Sequence, residues 1–238
     1  VVGLGPGNRL DRTRRAEQVI ADSEVVVGYH LYLEHIADLT PGKELIASGM
    51  MQETERCRAA LQRAARGERV ALVSSGDPGV YGMAGLALEM AAAEGFFVPI
   101  EIVPGISAAN SAAARLGAPL MLDYACISLS DLLVPWDVIR ARLAAVAAAD
   151  LVVALYNPRS MKRILQLDEA VAIFRQHRAD DTPVGIVTAI GEADERIELT
   201  TLGRLPEAEV GMRSTVIIGN STSICLDGRL LTPRGYRL

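Results

Sequence analysis

The chain is poor in cysteine and histidine. Its three cysteines, Cys57, Cys126 and Cys225, are odd in number, far apart and contain no C-x-x-C pair. That pattern argues against a disulfide scaffold and against a zinc or iron–sulfur site. A reduced, cytoplasmic setting is the expectation. His30, His35 and His177 show no ligand spacing such as H-E-x-x-H, so no metal site is expected. No apolar run is long enough to cross a bilayer. Nothing resembles the apolar core of a signal peptide, and because Val1 already lies in a strand-like run, a few residues are expected to precede it. An excess of positive charge is missing too. A net charge of −5 and a pI near 5.3 count against wholesale nucleic-acid binding and leave Arg12–Arg15 and Arg159–Arg163 as local basic clusters. There is no internal repeat and no low-complexity tract; the alanine-rich stretch 144–149 favours helix.

What is present reads as α/β. With 238 residues, half of them hydrophobic, the chain suits one large or two small domains. Strand-like runs at Val1–Leu4, Glu24–Val27, Glu44–Ala47, Arg69–Val73 and Pro99–Val103 alternate with helical patterns. Those helices are Arg12–Asp22, Leu31–Leu39, Gln52–Arg66, Ala84–Ala93 and Gly105–Leu116. The alternation predicts a mainly parallel five-stranded sheet covered on both faces. Gly117, Pro119 and Pro135 punctuate a connecting stretch, and a second α/β domain is predicted to open with strand Cys126–Leu129. Helix Trp136–Ala148, strand Leu151–Leu155, helix Ser160–His177 and strands Val184–Thr188, Arg196–Thr201 and Val216–Gly219 follow, as in a mixed sheet. The predicted domains are 1–117 and 118–238.

Three loops stand out: G-L-G-P-G-N at 3–8, S-S-G-D-P-G-V-Y-G-M-A at 74–84 and P-G-I-S-A-A-N at 104–110. Each follows a strand-like run. Glycine lets bare backbone approach a ligand, so three such loops at strand carboxyl ends point to a ligand site at one sheet edge. A dinucleotide fingerprint is excluded. The residues three after Gly5 and Gly7 are Asn8 and Leu10, the second strand ends in Gly28-Tyr29-His30, and no G-K-[ST] follows. Taken alone, the first loop is a weak signal and reads first as a tight strand-to-helix turn. Asp77 serves either as a turn or cap residue or as a contact to a ligand hydroxyl or cationic centre, with the ring of Tyr81 nearby. Ser107, Ala108 and Ala109 either leave room for a flat group or permit close helix–sheet packing.

In this order and spacing, G-L-G-P-G, S-G-D-P-G-V-Y-G and V-P-G-I-S-A-A-N resemble the tetrapyrrole methylases, from Val1 to about Asn220. The resemblance implies two α/β domains with the active-site cleft between them. It implies S-adenosylmethionine (SAM) as methyl donor, S-adenosylhomocysteine (SAH) as product, and no metal or iron–sulfur cluster. It further implies a tetrapyrrole substrate and a homodimer, with no nucleic-acid or membrane partner. V-G-Y-H-L-Y at 27–32, I-S-L-S-D-L-L-V-P-W-D-V-I at 127–139, A-L-Y-N-P-R-S at 154–160 and I-I-G-N-S at 217–221 are similar to one branch of that family. That branch, in cobalamin biosynthesis, methylates C17 of a corrin precursor and contracts the macrocycle. A metal-free and a cobalt-bearing substrate both remain open; the lack of a cluster-ligating C-terminal extension leans toward the former. Another methylase of the superfamily, acting on another corrin intermediate or on another substrate class such as RNA or protein, and a non-catalytic tetrapyrrole carrier are the competing readings.

Carried over residue by residue, the resemblance assigns cofactor contacts to Pro6, to Ser75, Gly76, Asp77 and Val80, to Ser107 and Ala108, and to Tyr156 and Asn157. Ala189 is assigned a main-chain contact, although V-T-A-I-G at 187–191 departs from the Arg-Asn that relatives carry there. Methyl transfer needs no nucleophilic side chain, and Cys57 in E-T-E-R-C-R reads as a bystander. Ring contraction is helped by an acid/base group. Asp131 is the candidate, or else an N-cap for a helix starting near Leu132. Corrin precursors bear many carboxylates, which arginine forks match. Arg9, Arg115 and Arg159 adjoin the site loops, and each is equally a solvated surface charge.

Overall fold

The computed structural model describes residues 1–237. The chain divides into a first unit, Val1–Ala108, and a second from Ala109 onward. The division falls at the first residue of a helix, where the sequence reading sets a boundary at 117/118.

The first unit runs β1 (Val2–Gly3), α1 (Arg14–Asp22), β2 (Val25–Tyr29), α2 (His30–His35), β3 (Glu44–Ser48), α3 (Glu53–Ala64), β4 (Val70–Ser74) and α4 (Ala84–Glu94). Local chemistry sets the helix ends. The Thr13 hydroxyl accepts from Ala16 N–H at 3.1 Å to start α1, and Gly95 at φ +72° closes α4 in the left-handed conformation. The sheet order is β1-β4-β2-β3, parallel throughout. In β2, Val26 packs with Val2, Ile20, Ile36 and Val73 on one face, while Val25 and Val27 pack with Cys57, Leu61, Leu72 and Met90 on the other. Period-two alternation therefore feeds two cores, and the strand is apolar at every core position.

One expected strand is not formed. The sheet has four strands rather than five, because Pro99–Val103 contributes a single parallel bridge, Val2 to Val103. Two hydrogen bonds make it: Val103 N–H to Val1 O at 2.8 Å and Gly3 N–H to Val103 O at 2.9 Å. Its neighbour β1 is only two residues long, and the segment lies between Pro99 and Pro104, which have no N–H to donate.

In the second unit, α5 (Ala108–Leu116) is followed by β5 (Gly117–Ala118), β6 (Tyr124–Ser128), α6 (Trp136–Ala148), β7 (Val152–Tyr156), α7 (Gln166–Phe174), β8 (Pro183–Thr188), β9 (Arg196–Thr201) and β10 (Ser214–Ile218). The last strands are β11 (Ile224–Leu226) and β12 (Arg229–Leu231). The main sheet, in order β6-β7-β10-β8-β9, is mixed: β6 and β7 are parallel and the other pairs antiparallel. Leu129, Leu143, Leu155, Leu167, Phe174 and Ile186 are among the residues of its core. The helix expected from Ser160 begins at Gln166. Ser160 and Arg163 close a turn on each other instead, through Ser160 N–H to Arg163 O at 2.9 Å and Arg163 N–H to Ser160 Oγ at 3.0 Å. A small sheet, β11-β12-β5, was not expected. Its hairpin turns at Asp227-Gly228, both at positive φ (49° and 72°), which is the two-residue turn that suits antiparallel strands. Among the described residues no helix is long and apolar enough to cross a membrane.

Candidate active site

Parallel pairing places Gly3 opposite Ser74, so β1 and β4 end together, with the Val103 bridge alongside. The three loops that leave this edge touch through bare backbone. Gly5 and Gly76 exchange N–H···O bonds of 3.1 and 2.7 Å, each at a positive φ (74° and 63°) that favours glycine. A Cβ built on Gly105 would lie 2.1 Å from Gly76 O and 2.8 Å from the Gly3 carbonyl carbon. Any side chain there would force the loops apart.

Asp77 ties the second loop to the third. Its Oδ1 accepts from Gly79 N–H at 2.8 Å and its Oδ2 from Gly105 N–H at 3.1 Å. These are charge-assisted bonds to main chain, so Asp77 orders the edge that a ligand would meet. Tyr81 follows at φ +53°, a conformation rare for an aromatic residue and a mark of local strain. Ser75 is exposed, and Pro6, Val80, Ser107 and Ala108 are half-buried. The structure thus brings every expected cofactor residue of the first unit to one edge.

In the second unit, β6 and β7 run parallel in register, Ser128 beside Tyr156, so their following loops are neighbours. The Tyr156 hydroxyl accepts from Ala109 N–H at 2.8 Å, satisfying a first-turn donor of α5. Asn157 sits at φ +49°. Its Nδ2 donates to Ser128 Oγ at 3.0 Å, and its carbonyl accepts from Arg163 Nε at 3.1 Å. Ala189 is buried at φ +55°, a conformation that costs a non-glycine residue about 1–2 kcal/mol. Its N–H donates to Arg213 O and its carbonyl accepts from Glu192 N–H, both at 3.0 Å. The main-chain contact assigned to it therefore has only the carbonyl's second lone pair to use.

Two cavities lie away from the loop clusters. A cavity of about 640 Å³ in the second unit is lined by Arg115, Gly117, Leu226 and Arg229 among others. One of about 450 Å³ in the first unit lies by Val1, Leu61, Val70 and Ile100, at the amino ends of the strands.

Residues 1–206 match the sequence model of the tetrapyrrole (corrin/porphyrin) methylases. The chain belongs to this family. It is similar along its whole length, at 45% identity over 238 residues and 99% of the relative, to the probable cobalt-factor III C(17)-methyltransferase of Salmonella typhimurium. It is also 40% identical over 244 residues to the precorrin-3B C(17)-methyltransferase of a Sinorhizobium species, covering 99% of this chain and 96% of that one. The crystal structure of the methyltransferase CobJ superposes with a TM-score of 0.91 at 34% identity, covering 98% of each chain.

The three candidate arginines each have a carboxylate neighbour within their own unit. Arg9 lies 3.3 Å from Asp38, Arg115 3.4 Å from Glu195 and Arg159 2.7 Å from Asp168. Two further arginines, Arg163 at the end of the basic cluster noted in the sequence and Arg56, which the sequence did not single out, meet only neutral acceptors among the described residues. Arg163 bonds Asn157 O, Ser130 Oγ (3.4 Å) and Met212 Sδ (3.7 Å). Arg56, buried in α3, bonds Ser48 Oγ (2.7 Å), Gly49 O (2.8 Å) and Met83 Sδ (3.7 Å), bracing the end of the second loop. In sequence Arg163 carries the signal of a basic cluster, whereas Arg56 looks like a solvated charge.

Asp131 is exposed, and its Oδ2 accepts from Gln166 Nε2 at 3.0 Å. The capping alternative for it fails, since α6 starts at Trp136 with Pro135 before it and residues 132–134 form a bend. Cys57 is fully buried, and burial pushes its thiol up to about 11. It is unsuited to nucleophilic work, in agreement with its reading as a bystander.

Proposed function

We propose that this tetrapyrrole methylase transfers a methyl group from SAM to C17 of a corrin precursor, precorrin-3B or its cobalt-bearing counterpart, and contracts the macrocycle in cobalamin biosynthesis. The full-length match to a C(17)-methyltransferase at 45% identity carries the reading. A homodimer, a cytoplasmic location and the absence of a resident metal belong to it on resemblance.

The donor set of the first unit suits SAM: small side chains and bare main chain on one edge, held flat by the Asp77 bonds to Gly79 and Gly105. Pro6, Ser75, Gly76, Val80, Ser107 and Ala108 would hold it, with Tyr156, Asn157 and Ala189 assigned by resemblance. When bound, SAM supplies an electrophilic methyl on a sulfonium. The protein's share of methyl transfer is orientation and exclusion of water rather than covalent chemistry. Asp77 acts as a positioning residue by fixing the Gly105 loop. Asp131 would hold or move the proton that ring contraction requires, at the carboxylate oxygen not facing Gln166. Arg9, Arg115 and Arg159 would meet substrate carboxylates only by exchanging their present acidic partners.

The test incubates the protein with SAM and, separately, with precorrin-3B and cobalt-factor III, with mass detection of the product. A methylated, ring-contracted product from either supports the reading, and the preferred one sets the metal state. Methyl transfer to neither, from a preparation that binds SAH, overturns it.

A further inference from the structure

The second unit carries an apolar rim that its own fold leaves uncovered. The segments after β6 and β7 are joined by side-chain hydrogen bonds, among them Asn157 Nδ2 to Ser128 Oγ (3.0 Å), Arg163 Nη1 to Ser130 Oγ (3.4 Å) and Gln166 Nε2 to Asp131 Oδ2 (3.0 Å). They form one continuous surface rather than two separate tips. Leu132, Leu133, Met161, Ile164 and Leu165 are exposed on it, Leu133 to 91%. Exposed Met212 is tied to the same surface by Arg163 Nη2 at 3.7 Å from its sulfur. A cluster of large exposed apolar side chains marks a binding surface, and methionines let such a surface adapt to its ligand.

Charge says what kind of ligand. Lys162 makes no hydrogen bond or ion pair among the described residues, and Arg163 meets only neutral acceptors. Nearby cations are neutralised: Arg159 by Asp168 at 2.7 Å and Arg140 by Glu169 at 3.9 Å. In a chain of net charge −5, two adjacent cations left without acids beside an apolar rim complement a molecule with an apolar face and an anionic periphery. A polycarboxylate macrocycle has that chemistry.

We infer that this rim seats one face of the substrate macrocycle, with Lys162 and Arg163 meeting its peripheral carboxylates; the inference rests on the corrin-precursor reading above. Lys162 and Leu133 test it, being exposed and outside the hydrogen-bond network. The variants are Leu133→Asp, Lys162→Glu and the conservative Lys162→Arg. Cobalt-factor III is titrated by absorbance and SAH by calorimetry, with melting temperature and sedimentation measured on the same preparations. Loss of an apolar or charged contact of this kind weakens binding by roughly ten-fold or more. The expected result is that loss of cobalt-factor III affinity for Leu133→Asp and Lys162→Glu, near-normal affinity for Lys162→Arg, and unchanged SAH affinity and melting point. Wild-type affinity in the first two variants overturns the inference while leaving C17 methylation standing. Rim-dependent binding in a protein that methylates no C17 substrate supports the rim and overturns the functional reading. Unchanged macrocycle affinity with a dimer split by Leu133→Asp also overturns the inference, because the rim would then face a second copy of the chain.

Discussion

Removing the Asp77 carboxylate should loosen the cofactor edge more than it loosens the fold. Asp77→Ala deletes the acceptors of Gly79 N–H at 2.8 Å and Gly105 N–H at 3.1 Å. Hydrogen bonds to a charged group contribute about 1.5–3 kcal/mol each. The Gly79 donor is exposed and returns to water, whereas the half-buried Gly105 donor loses its partner. A cost of about 2–4 kcal/mol to the local structure follows. Asp77→Asn keeps one acceptor oxygen and should lose roughly half as much. Gly105→Ala attacks the same contact from the other side, since its Cβ would lie 2.1 Å from Gly76 O; overpacking of this kind costs about 1–3 kcal/mol. The two changes share one interaction, so the double variant should cost less than their sum. Urea unfolding reads stability and calorimetry with SAH reads the edge. Affinity should fall by more than the shift in global stability accounts for, because the loops open before the sheet does. Wild-type SAH affinity in Asp77→Ala, or additivity of the two changes within about 0.5 kcal/mol, would refute the account of Asp77 as the tie between loops.

Tyr156→Phe removes the acceptor of Ala109 N–H and should cost about 1 kcal/mol in urea unfolding; no loss would mean that water caps α5 equally well. Asp131→Asn lies on an exposed loop, so stability should move by less than about 0.5 kcal/mol. Ring contraction should slow by roughly 10²–10⁴-fold, and methylated but uncontracted material should accumulate; contraction at the wild-type rate would place the acid/base group elsewhere. The Cys57 thiol rises from 9.0 to about 11 through burial. The folded state therefore keeps a proton that the unfolded chain has released. Its contribution is whole below pH 9 and is lost as pH rises through about 11, by roughly 2–3 kcal/mol. Stability measured across that window should fall less steeply in Cys57→Ala than in the wild type, and parallel curves would contradict the assignment.

Much of the molecule is written locally. Gly3, Gly76 and Gly105 announce three close-packed loops: a Cβ at Gly3 or Gly105 would lie 2.7 or 2.1 Å from neighbouring backbone, and Gly76 sits at a φ of +63° that favours glycine. Helix α6 and strand β9 have the predicted bounds, since their apolar periods are undisturbed by caps or turns. The Asp227-Gly228 hairpin carries an equally legible turn signal. Other features depended on partners that the chain delivers from far away. Pro99–Val103 is apolar enough for a strand, yet it stays a single bridge because the β1 beside it is only two residues long. Asp77 was ambiguous until the fold set Gly105, twenty-eight residues on, against its carboxylate. The arginines show the same limit. Arg115 and Arg159 were singled out by adjacency to the loops, but the tertiary structure gives them Glu195 and Asp168 and leaves Lys162 and Arg163 without acids. Where backbone conformation is set by a residue and its immediate neighbours, sequence reveals it. Whether a charge is neutralised or left to meet a ligand is set by which carboxylate the fold brings within about 4 Å, and only the tertiary structure decides that.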